Sequence, residues 1–247
     1  TGGQTCALPI LLDDICRWRD VIKAPDISHI DWETMAKKDL AQVDRTQTSV
    51  TATIHVGYFQ QLMNFMGFTE GLCAMLEEPE EVMALFEYMN QFYLQICSKV
   101  RDYYKPDVWA ITDDTATATN PFISVDMYRE MIKPFHASEA KFAQEAGIPI
   151  DMHDCGRCED FIEDWLDFGV CAWNPAQTMN DLAGIKKKYG NRLVLEGCWD
   201  SSGPAGWPDT PEEIIRAEVR KCIDSFAPGG GFVFWASTYG APDDEAI

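Results

Sequence analysis

Short apolar runs alternate with longer helical patterns along most of the chain. From about residue 50 onward, apolar runs of strand length occur near positions 52, 108, 149, 170, 193 and 232. Between these runs, apolar residues recur at three- and four-residue spacing, which predicts helices. Strands that alternate with helices indicate βα units and a parallel sheet. The pattern therefore predicts an α/β protein.

The strongest helical pattern runs from Pro79 to Tyr104. Proline suits a first helical turn, and Glu80 and Glu81 follow it at the positive end of the helix dipole. Further helices are predicted over 124–146, 159–168, 180–189 and 210–226, with Ser124 and Thr210 as N-caps. Residues 1–50 are less regular, with one helix predicted near 31–40.

The length of 247 residues is close to the roughly 250 of one (β/α)8 barrel. Six predicted strands nevertheless fall short of the eight that close such a barrel. No linker or low-complexity segment follows Val50. We therefore expect one incomplete barrel domain over residues 1–247.

Charge and cysteine usage narrow the range of partners and compartments. Forty acidic and 20 basic residues give a formal charge of −20, which disfavours nucleic acid and anionic membrane surfaces as partners. No apolar run approaches a membrane span, and the first residues do not form a signal peptide. Nine cysteines, mostly isolated, indicate reduced thiols in a cytoplasmic protein.

Polar side chains follow the predicted strands where each strand ends. In parallel α/β folds, reactive groups collect at these carboxyl ends. The sequence therefore predicts a small-molecule site on one rim. The candidates for substrate contact there are Asn174, Glu196, Trp199 and Thr238. For Trp199, ordinary packing is the alternative.

A metal site is predicted within this rim. His153 and Cys155 are two residues apart, so on an extended strand end they point to the same side. An imidazole and a thiolate together form half of a tetrahedral zinc site. Cys198 is the preferred third ligand, followed by Cys158 and by an oxygen of Glu196. The alternative is that these cysteines are small buried hydrophobic residues.

Asp113 and Asp114 are candidate catalytic residues. Because they are adjacent, their side chains diverge, so that one carboxylate enters the mouth of the barrel. There it could bind a cation or orient a substrate. The alternative for either carboxylate is loop capping or solvent exposure. His136 is interpreted as a surface or packing residue. His55 is interpreted as a core packing residue, with a position facing the barrel as the alternative.

Four stretches of the chain resemble the uroporphyrinogen decarboxylase superfamily, which includes cofactor-free decarboxylases and zinc-dependent corrinoid methyltransferases. The resemblance implies a (β/α)8 TIM barrel of which about strands 3 to 8 are present. The stretches are residues 107–114 with 121–134, residues 153–156, residues 195–200 with 210–213, and residues 229–234.

The resemblance also assigns roles to residues. In the methyltransferase branch, zinc is held by a His-x-Cys pair after the fifth strand, which His153 and Cys155 match, and by a cysteine after the eighth, where Thr238 stands. The tyrosine that follows the third strand in the decarboxylases falls near Asn64, which joins the substrate-contact candidates. Their serine after the fourth strand falls at Asp114.

The rim offers acids and Arg157 rather than cationic clamps for a polycarboxylate. The predicted function is therefore a zinc-assisted methyltransferase that moves a methyl group between a corrinoid on a partner protein and a thiol or other small acceptor. The alternatives are a decarboxylase of the same family and a non-catalytic barrel that binds a corrinoid or tetrapyrrole.

The resemblance also bears on the two ends of the chain. The first two strands and the last helix of the barrel are not found in the sequence. Truncation is therefore expected at the N-terminus and also at the C-terminus. The run Ala7-Leu-Pro-Ile10 matches a translated sequencing adapter, so residues 1–10 are expected to be non-native.

Overall fold

A computed structural model describes residues 10–236 of the protein. The chain divides into two compact units, which are described here one at a time. The first comprises Thr1–Thr48 and Ile54–Lys105, and the second comprises Ser49–Thr53 and Pro106–Ile247. Thr238 and residues 1–9 lie outside the described residues. One domain over 1–247 stays a prediction.

The first unit is helical. Its longest helix begins at the predicted proline, and the apolar positions Val82, Leu85, Phe86 and Met89 on one face are buried. Gly67 separates the two preceding helices with a φ of 82°, which glycine adopts without steric cost. The helices are α1 (Trp18–Val21), α2 (Trp32–Asp39), α3 (Tyr58–Met66), α4 (Phe68–Glu77) and α5 (Pro79–Tyr104).

The second unit contains a six-stranded parallel sheet whose strands are ordered as they occur in the sequence. This confirms the six predicted strands and the α/β class, and the sheet is an incomplete (β/α)8 barrel. The first strand is shorter than the predicted 51–57. The strands are β1 (Thr51–Ala52), β2 (Val108–Thr112), β3 (Ile150–His153), β4 (Val170–Ala176), β5 (Val194–Cys198) and β6 (Phe232–Trp235).

Helices follow the strands of this unit, as the βα pattern predicts. Ser124 is an N-cap, because its Oγ accepts a hydrogen bond of 3.1 Å from the backbone N–H of Met127. Thr210 is not, because its hydroxyl donates to the carbonyl oxygen of Trp207 at 2.9 Å. The helices are α6 (Val125–Met127), α7 (Lys133–Glu145), α8 (Ile162–Asp167), α9 (Leu182–Tyr189) and α10 (Glu212–Phe226).

The predicted helix over 124–146 runs through a π-helical turn at Tyr128–Ile132, between α6 and α7. Pro134 follows this turn, and proline has no N–H to donate to the preceding helical turn. A π-helical turn is a known way for a helix to absorb such an irregularity. The chain therefore stays helical past the proline, as predicted.

The two faces of the sheet have different roles. Trp109 and Trp173 are fully buried on the face covered by helices, where their rings pack against Phe142 of α7 and Trp165 of α8. Side chains alternate along a strand, so the neighbouring positions face the other way. These positions include Thr112, His153 and Asn174, which are register partners on β2, β3 and β4. The candidate site lies on this second face.

Among residues 10–236, no helix has both the length and the apolar character needed to cross a lipid bilayer.

Candidate metal site

Asp114, His153 and Cys155 come together at the carboxyl ends of β2 and β3. One potential ligand atom of each residue lies within 4.8 Å of the other two, and all three residues are half-buried. His153 Nε2 is 3.8 Å from Cys155 Sγ and 3.9 Å from Asp114 Oδ1. In the described part of the chain, this is the one group of His, Cys, Asp and Glu residues spaced to share an ion.

The donor set suits zinc. Zinc accepts imidazole nitrogen, thiolate sulfur and carboxylate oxygen at about 2.0–2.3 Å, and tetrahedral geometry then separates neighbouring ligand atoms by roughly 3.3–3.8 Å. The distances from His153 Nε2 are close to this range. Three protein ligands would leave a fourth position for a small molecule, as in catalytic zinc sites.

Two hydrogen bonds fasten the ends of β2 and β3 to each other. The backbone N–H of Asp113 donates to the carbonyl oxygen of His153 at 2.9 Å, which extends the strand ladder by one residue. The backbone N–H of Cys155 donates to Asp114 Oδ1 at 2.9 Å. The Asp114 carboxylate is thereby held beside the His-x-Cys pair.

Asn174 of β4 orients the imidazole. Its Oδ1 lies 2.9 Å from Nδ1 of His153. An amide oxygen only accepts, so Nδ1 carries the proton in this pair and Nε2 presents its lone pair to Asp114 and Cys155. A histidine that binds a metal commonly donates its other N–H in this way. Asn174, predicted as a substrate contact, is thus beside the metal-site histidine.

The Cys155 thiol is protonated at neutral pH when no cation is bound. Burial, followed by the nearby Asp114 carboxylate, raises its pKa to about 12. A zinc ion held there would reverse this preference, because zinc binds the thiolate. Binding of zinc would therefore release a proton.

The loop after Cys155 is tied down at Gly156. Its N–H donates to Gln177 Oε1 at 2.6 Å, and its carbonyl oxygen accepts from Asn180 Nδ2 at 2.9 Å. Gly156 has a φ of 98°, and a Cβ there would lie 2.6 Å from the Ala116 carbonyl oxygen. Only glycine fits this close approach to the loop after β2.

Asp113 diverges from Asp114, as expected for adjacent residues. It is fully buried, and its Oδ2 lies 3.3 Å from Nε2 of His136 on α7. Nδ1 of the same imidazole lies 3.1 Å from the Tyr128 hydroxyl. Asp113 therefore anchors the end of β2 to the helix layer, whereas Asp114 lies in the candidate site.

A third carboxylate, Asp154, is fully buried. Its side chain lies between the two ligand-bearing segments, which are residues 114–115 after β2 and residues 153–155 at the end of β3. Burial is the main cause that raises its pKa well above the ordinary value of 3.8, and the Asp113 and Asp114 carboxylates add to it. Hydrogen bonds from the backbone N–H and the hydroxyl of Thr115 oppose the rise.

Cys198 is placed elsewhere. Cys198 is the last residue of β5; it is buried and has a φ of 60°. Its carbonyl oxygen accepts a hydrogen bond from the Cys222 thiol of α10 at 3.4 Å, and burial raises the pKa of the Cys198 thiol to about 12. Asp114 joins His153 and Cys155 in the position for which the sequence favoured Cys198.

Cys158, the second choice as third ligand, is also outside the group. Its thiol is buried and donates to the carbonyl oxygens of Asp154 and Gly156 at 3.3 and 3.5 Å. It therefore stabilises the loop rather than facing the other donor atoms.

The remaining predicted residues are dispersed. Glu196 is half-buried on β5, where its charge adds to the burial that raises the pKa of Asp151 to about 7. Trp199 is buried against Phe234, with ring centroids 6.0 Å apart. Asn64 is exposed on α3 of the helical unit. His55 stacks on Tyr93 in that unit, as a packing residue does.

Sequence reasoning missed the residues that support the site: Thr115, Asp154, Gln177 and Asn180. One signal was present for Asp154. It lies between His153 and Cys155, so alternation turns its side chain away from theirs and towards the interior. Thr115, Gln177 and Asn180 carry no comparable signal, because their partners are distant in sequence.

Comparison with known proteins agrees with this architecture. The family profile described as Uroporphyrinogen decarboxylase (URO-D) matches residues 29–239. No curated protein matches the chain. A solved structure described as a methyltransferase from Methanosarcina mazei aligns with a TM-score of 0.62 and 16% sequence identity, over 82% of this chain and 56% of that one.

An incomplete (β/α)8 barrel with a donor cluster at its strand ends defines the class of protein. Since the profile match covers most of the chain, the protein belongs to the uroporphyrinogen decarboxylase (URO-D) family. At its low sequence identity, the methanogen methyltransferase shows a shared fold. This chain spans little more than half the length of that structure.

Proposed function

We propose that the protein is a zinc-assisted methyltransferase of the URO-D family, with Asp114, His153 and Cys155 as its zinc ligands. The observation that carries the proposal is the convergence of one oxygen, one nitrogen and one sulfur donor within 4.8 Å. The fold shared with a methanogen methyltransferase supports the reaction class. His153 and Cys155 resemble the zinc-binding His-x-Cys pair of the corrinoid methyltransferases, which supports zinc as the metal and a corrinoid as the methyl donor.

When held by Asp114, His153 and Cys155, zinc would bind an acceptor thiol and lower its pKa, so that the thiol proton is released to solvent. The thiolate sulfur would then bond to the methyl carbon as the cobalt–carbon bond breaks, and both electrons of that bond would remain on the corrinoid cobalt. The protein's own residues arrange this chemistry. Asn174 holds the His153 imidazole with Nε2 towards the other donors, and the Cys155 N–H holds the Asp114 carboxylate. The proposed methyl donor is a methylated corrinoid on a partner protein.

The charge around the site favours a small acceptor over a polycarboxylate. Asp114 lies in the candidate site, and its charge and that of Asp113 add to the burial that raises the pKa of Asp154. Arg157 is paired with Glu159 at 2.8 Å. A substrate with many carboxylates would meet a repulsive field here.

Zinc content of the purified protein tests the metal site. We expect one zinc ion per chain, and at least a tenfold loss of affinity in His153→Ala and Cys155→Ala. Cys73→Ala is the matched control, because it removes a free, half-buried thiol of α4 that is not in the ligand group. Absence of zinc from the wild type, or full retention in His153→Ala, would contradict the proposal.

Methyl transfer is tested with methylcobalamin and a small alkyl thiol. We expect the zinc-loaded wild type to demethylate methylcobalamin, which absorbance follows, and Asp114→Ala to be much slower. Decarboxylation of a porphyrinogen without zinc, together with no methyl transfer, would favour the decarboxylase. Zinc binding without either activity would favour a binding protein.

A further inference from the structure

We propose that Asp154 and Thr115 are positioning residues that form a clamp between the two ligand-bearing segments and hold the metal site in its binding geometry. The proposal rests on the proposed function, because it assumes that Asp114, His153 and Cys155 bind the metal. Neither Asp154 nor Thr115 belongs to that ligand group.

The clamp consists of two short hydrogen bonds to one carboxylate. The backbone N–H of Thr115 donates to Asp154 Oδ1 at 2.9 Å, and the Thr115 hydroxyl donates to Asp154 Oδ2 at 2.7 Å. Both residues are fully buried. Hydrogen bonds in such surroundings are stronger and less exchangeable than those at the surface.

The two clamp residues are sequence neighbours of the proposed metal ligands, so their hydrogen bonds fix the positions of those ligands. Thr115 directly follows Asp114, and Asp154 separates His153 from Cys155. The hydrogen bonds between Thr115 and Asp154 therefore link the segment that carries Asp114 to the segment that carries His153 and Cys155. A shift of either segment by a fraction of an ångström would stretch these bonds.

The backbone of Asp154 is fixed as well. Its N–H donates to the Asn174 carbonyl oxygen at 3.1 Å, and its own carbonyl oxygen accepts from Trp173 Nε1 at 3.1 Å. The clamp is thus attached to β4, which also supplies the amide that orients His153. All three proposed ligands are therefore held by the hydrogen-bonded strands β2, β3 and β4.

Burial of a carboxylate lowers the stability of a protein, and an apolar residue of similar size in place of Asp154 would pack at a smaller free-energy penalty. What an apolar residue cannot supply is a bidentate link between two loops. Preorganised ligands lose little freedom on binding a metal, and supporting contacts of this kind contribute about 10–100-fold to metal affinity.

Zinc titration of three single variants of the full chain tests the clamp. Thr115→Val removes the hydroxyl bond and keeps the side-chain shape, and Thr115→Ser keeps the hydroxyl. Thr117→Val is the matched control, because within residues 10–236 the Thr117 hydroxyl bonds inside its own loop, to Thr119 and Asn120. The readouts are zinc affinity, the absorption spectrum of the cobalt-substituted protein, and the melting temperature of the metal-free protein.

We expect about a tenfold weaker zinc affinity and an altered cobalt spectrum in Thr115→Val, with wild-type values in Thr115→Ser and Thr117→Val. Without metal, Thr115→Val should melt below Thr117→Val, because it leaves the buried Asp154 Oδ2 without its hydrogen-bond partner. Recovery of the zinc affinity and the cobalt spectrum in Thr115→Ser therefore distinguishes the clamp from a general loss of stability. Wild-type affinity in Thr115→Val, or equal loss in Thr115→Ser, would overturn the clamp alone. Absence of zinc from the wild type would instead overturn the proposed function.

Where Thr115→Val does not fold, Thr115→Ala replaces it. Alanine also removes the hydroxyl bond to Asp154 Oδ2, and its smaller side chain leaves space for a water molecule beside that buried oxygen. We expect weaker zinc binding here too, and wild-type affinity would overturn the clamp.

Discussion

Asn174 Oδ1 lies 2.9 Å from His153 Nδ1, and this contact turns the other imidazole nitrogen towards Asp114 and Cys155. The two residues are register partners on adjacent strands, so the backbone ladder itself brings the side chains side by side. The orientation of the imidazole is thus built into the sheet rather than left to a mobile loop.

Replacing this amide should weaken metal binding. In Asn174→Leu, the imidazole loses its acceptor at Nδ1, and we expect about 10–100-fold lower zinc affinity. Asn174→Asp is the comparison, because a carboxylate at this position also accepts the Nδ1 proton and raises the basicity of the imidazole. Zinc titration measures both, and equal affinity in Asn174→Leu and wild type would contradict the assigned contact.

Gly156 is expected to tolerate no side chain. A Cβ there would meet the carbonyl oxygens of Ala116 and Thr117 at 2.6 and 2.7 Å, at a φ of 98°. Gly156→Ala should lower the free energy of unfolding by about 3 kcal/mol, because strain and backbone overlap combine. Chemical denaturation measures the change.

The matched control is Gly147→Ala. Gly147 also has a positive φ, of 71°, but a Cβ there would have no atom within 4 Å. Its replacement should cost only the conformational strain, about 1 kcal/mol. Equal losses at the two glycines would show that the approach to Ala116 contributes nothing.

The carboxylate of Asp164 gives a pH-dependent contribution to stability. Burial raises its pKa, but hydrogen bonds from Arg129 and Lys133, both 2.9–3.0 Å long, outweigh burial and leave the pKa below the ordinary 3.8. A lowered carboxyl pKa in the folded state stabilises above pH 3.8, and this stabilisation is lost as the pH falls towards the folded-state pKa.

Asp164→Asn should therefore cost about 1–2 kcal/mol of unfolding free energy at about pH 7, and progressively less below about pH 4. Denaturant titrations across this range measure the difference between variant and wild type. Asp126→Asn is the control, because this exposed carboxylate lies 3.7 Å from the same Arg129 and should give no measurable change. A cost that does not vary with pH would contradict the ion pairing of Asp164.

The buried pair Asp113 and His136 should be energetically coupled. Both side chains are fully buried with 3.3 Å between Oδ2 and Nε2. His136→Phe keeps the ring but removes its polar atoms, and we expect it to cost about 2–4 kcal/mol in stability. A double-mutant cycle with Asp113→Asn should show a coupling of at least about 1 kcal/mol, whereas strictly additive losses would argue against the pair.

Secondary structure followed closely from the sequence. Helix α5 begins at the predicted Pro79 and ends at Tyr104, because its apolar stripe has one helical period over its whole length. The six strands lie where the apolar runs predicted them. The predicted N-cap of α10 was wrong, because the Thr210 hydroxyl bonds to a preceding turn instead of capping the helix. Local periodicity does not reveal such competing partners.

The third donor was the part of the site that spacing could not decide. Cys198 and Asp114 both follow strands, so both qualified by position in the sequence. In the sheet, β2 is the direct neighbour of β3, whereas β4 separates β5 from β3. The Cys198 backbone also lies against Cys222 of α10. Proximity to His153 and Cys155 therefore favours the Asp114 carboxylate.

By itself, the sequence determined the α/β class, the order of the elements and the shared direction of His153 and Cys155, because periodicity and alternation are local properties of the backbone. Only the tertiary structure decided that Asp114 faces the pair, that Asp113 turns to His136, and that Asp154 and Thr115 join the two segments. These relationships depend on which strands are neighbours and on which atoms remain to be satisfied once the helices cover the sheet, and neither is encoded at a fixed spacing.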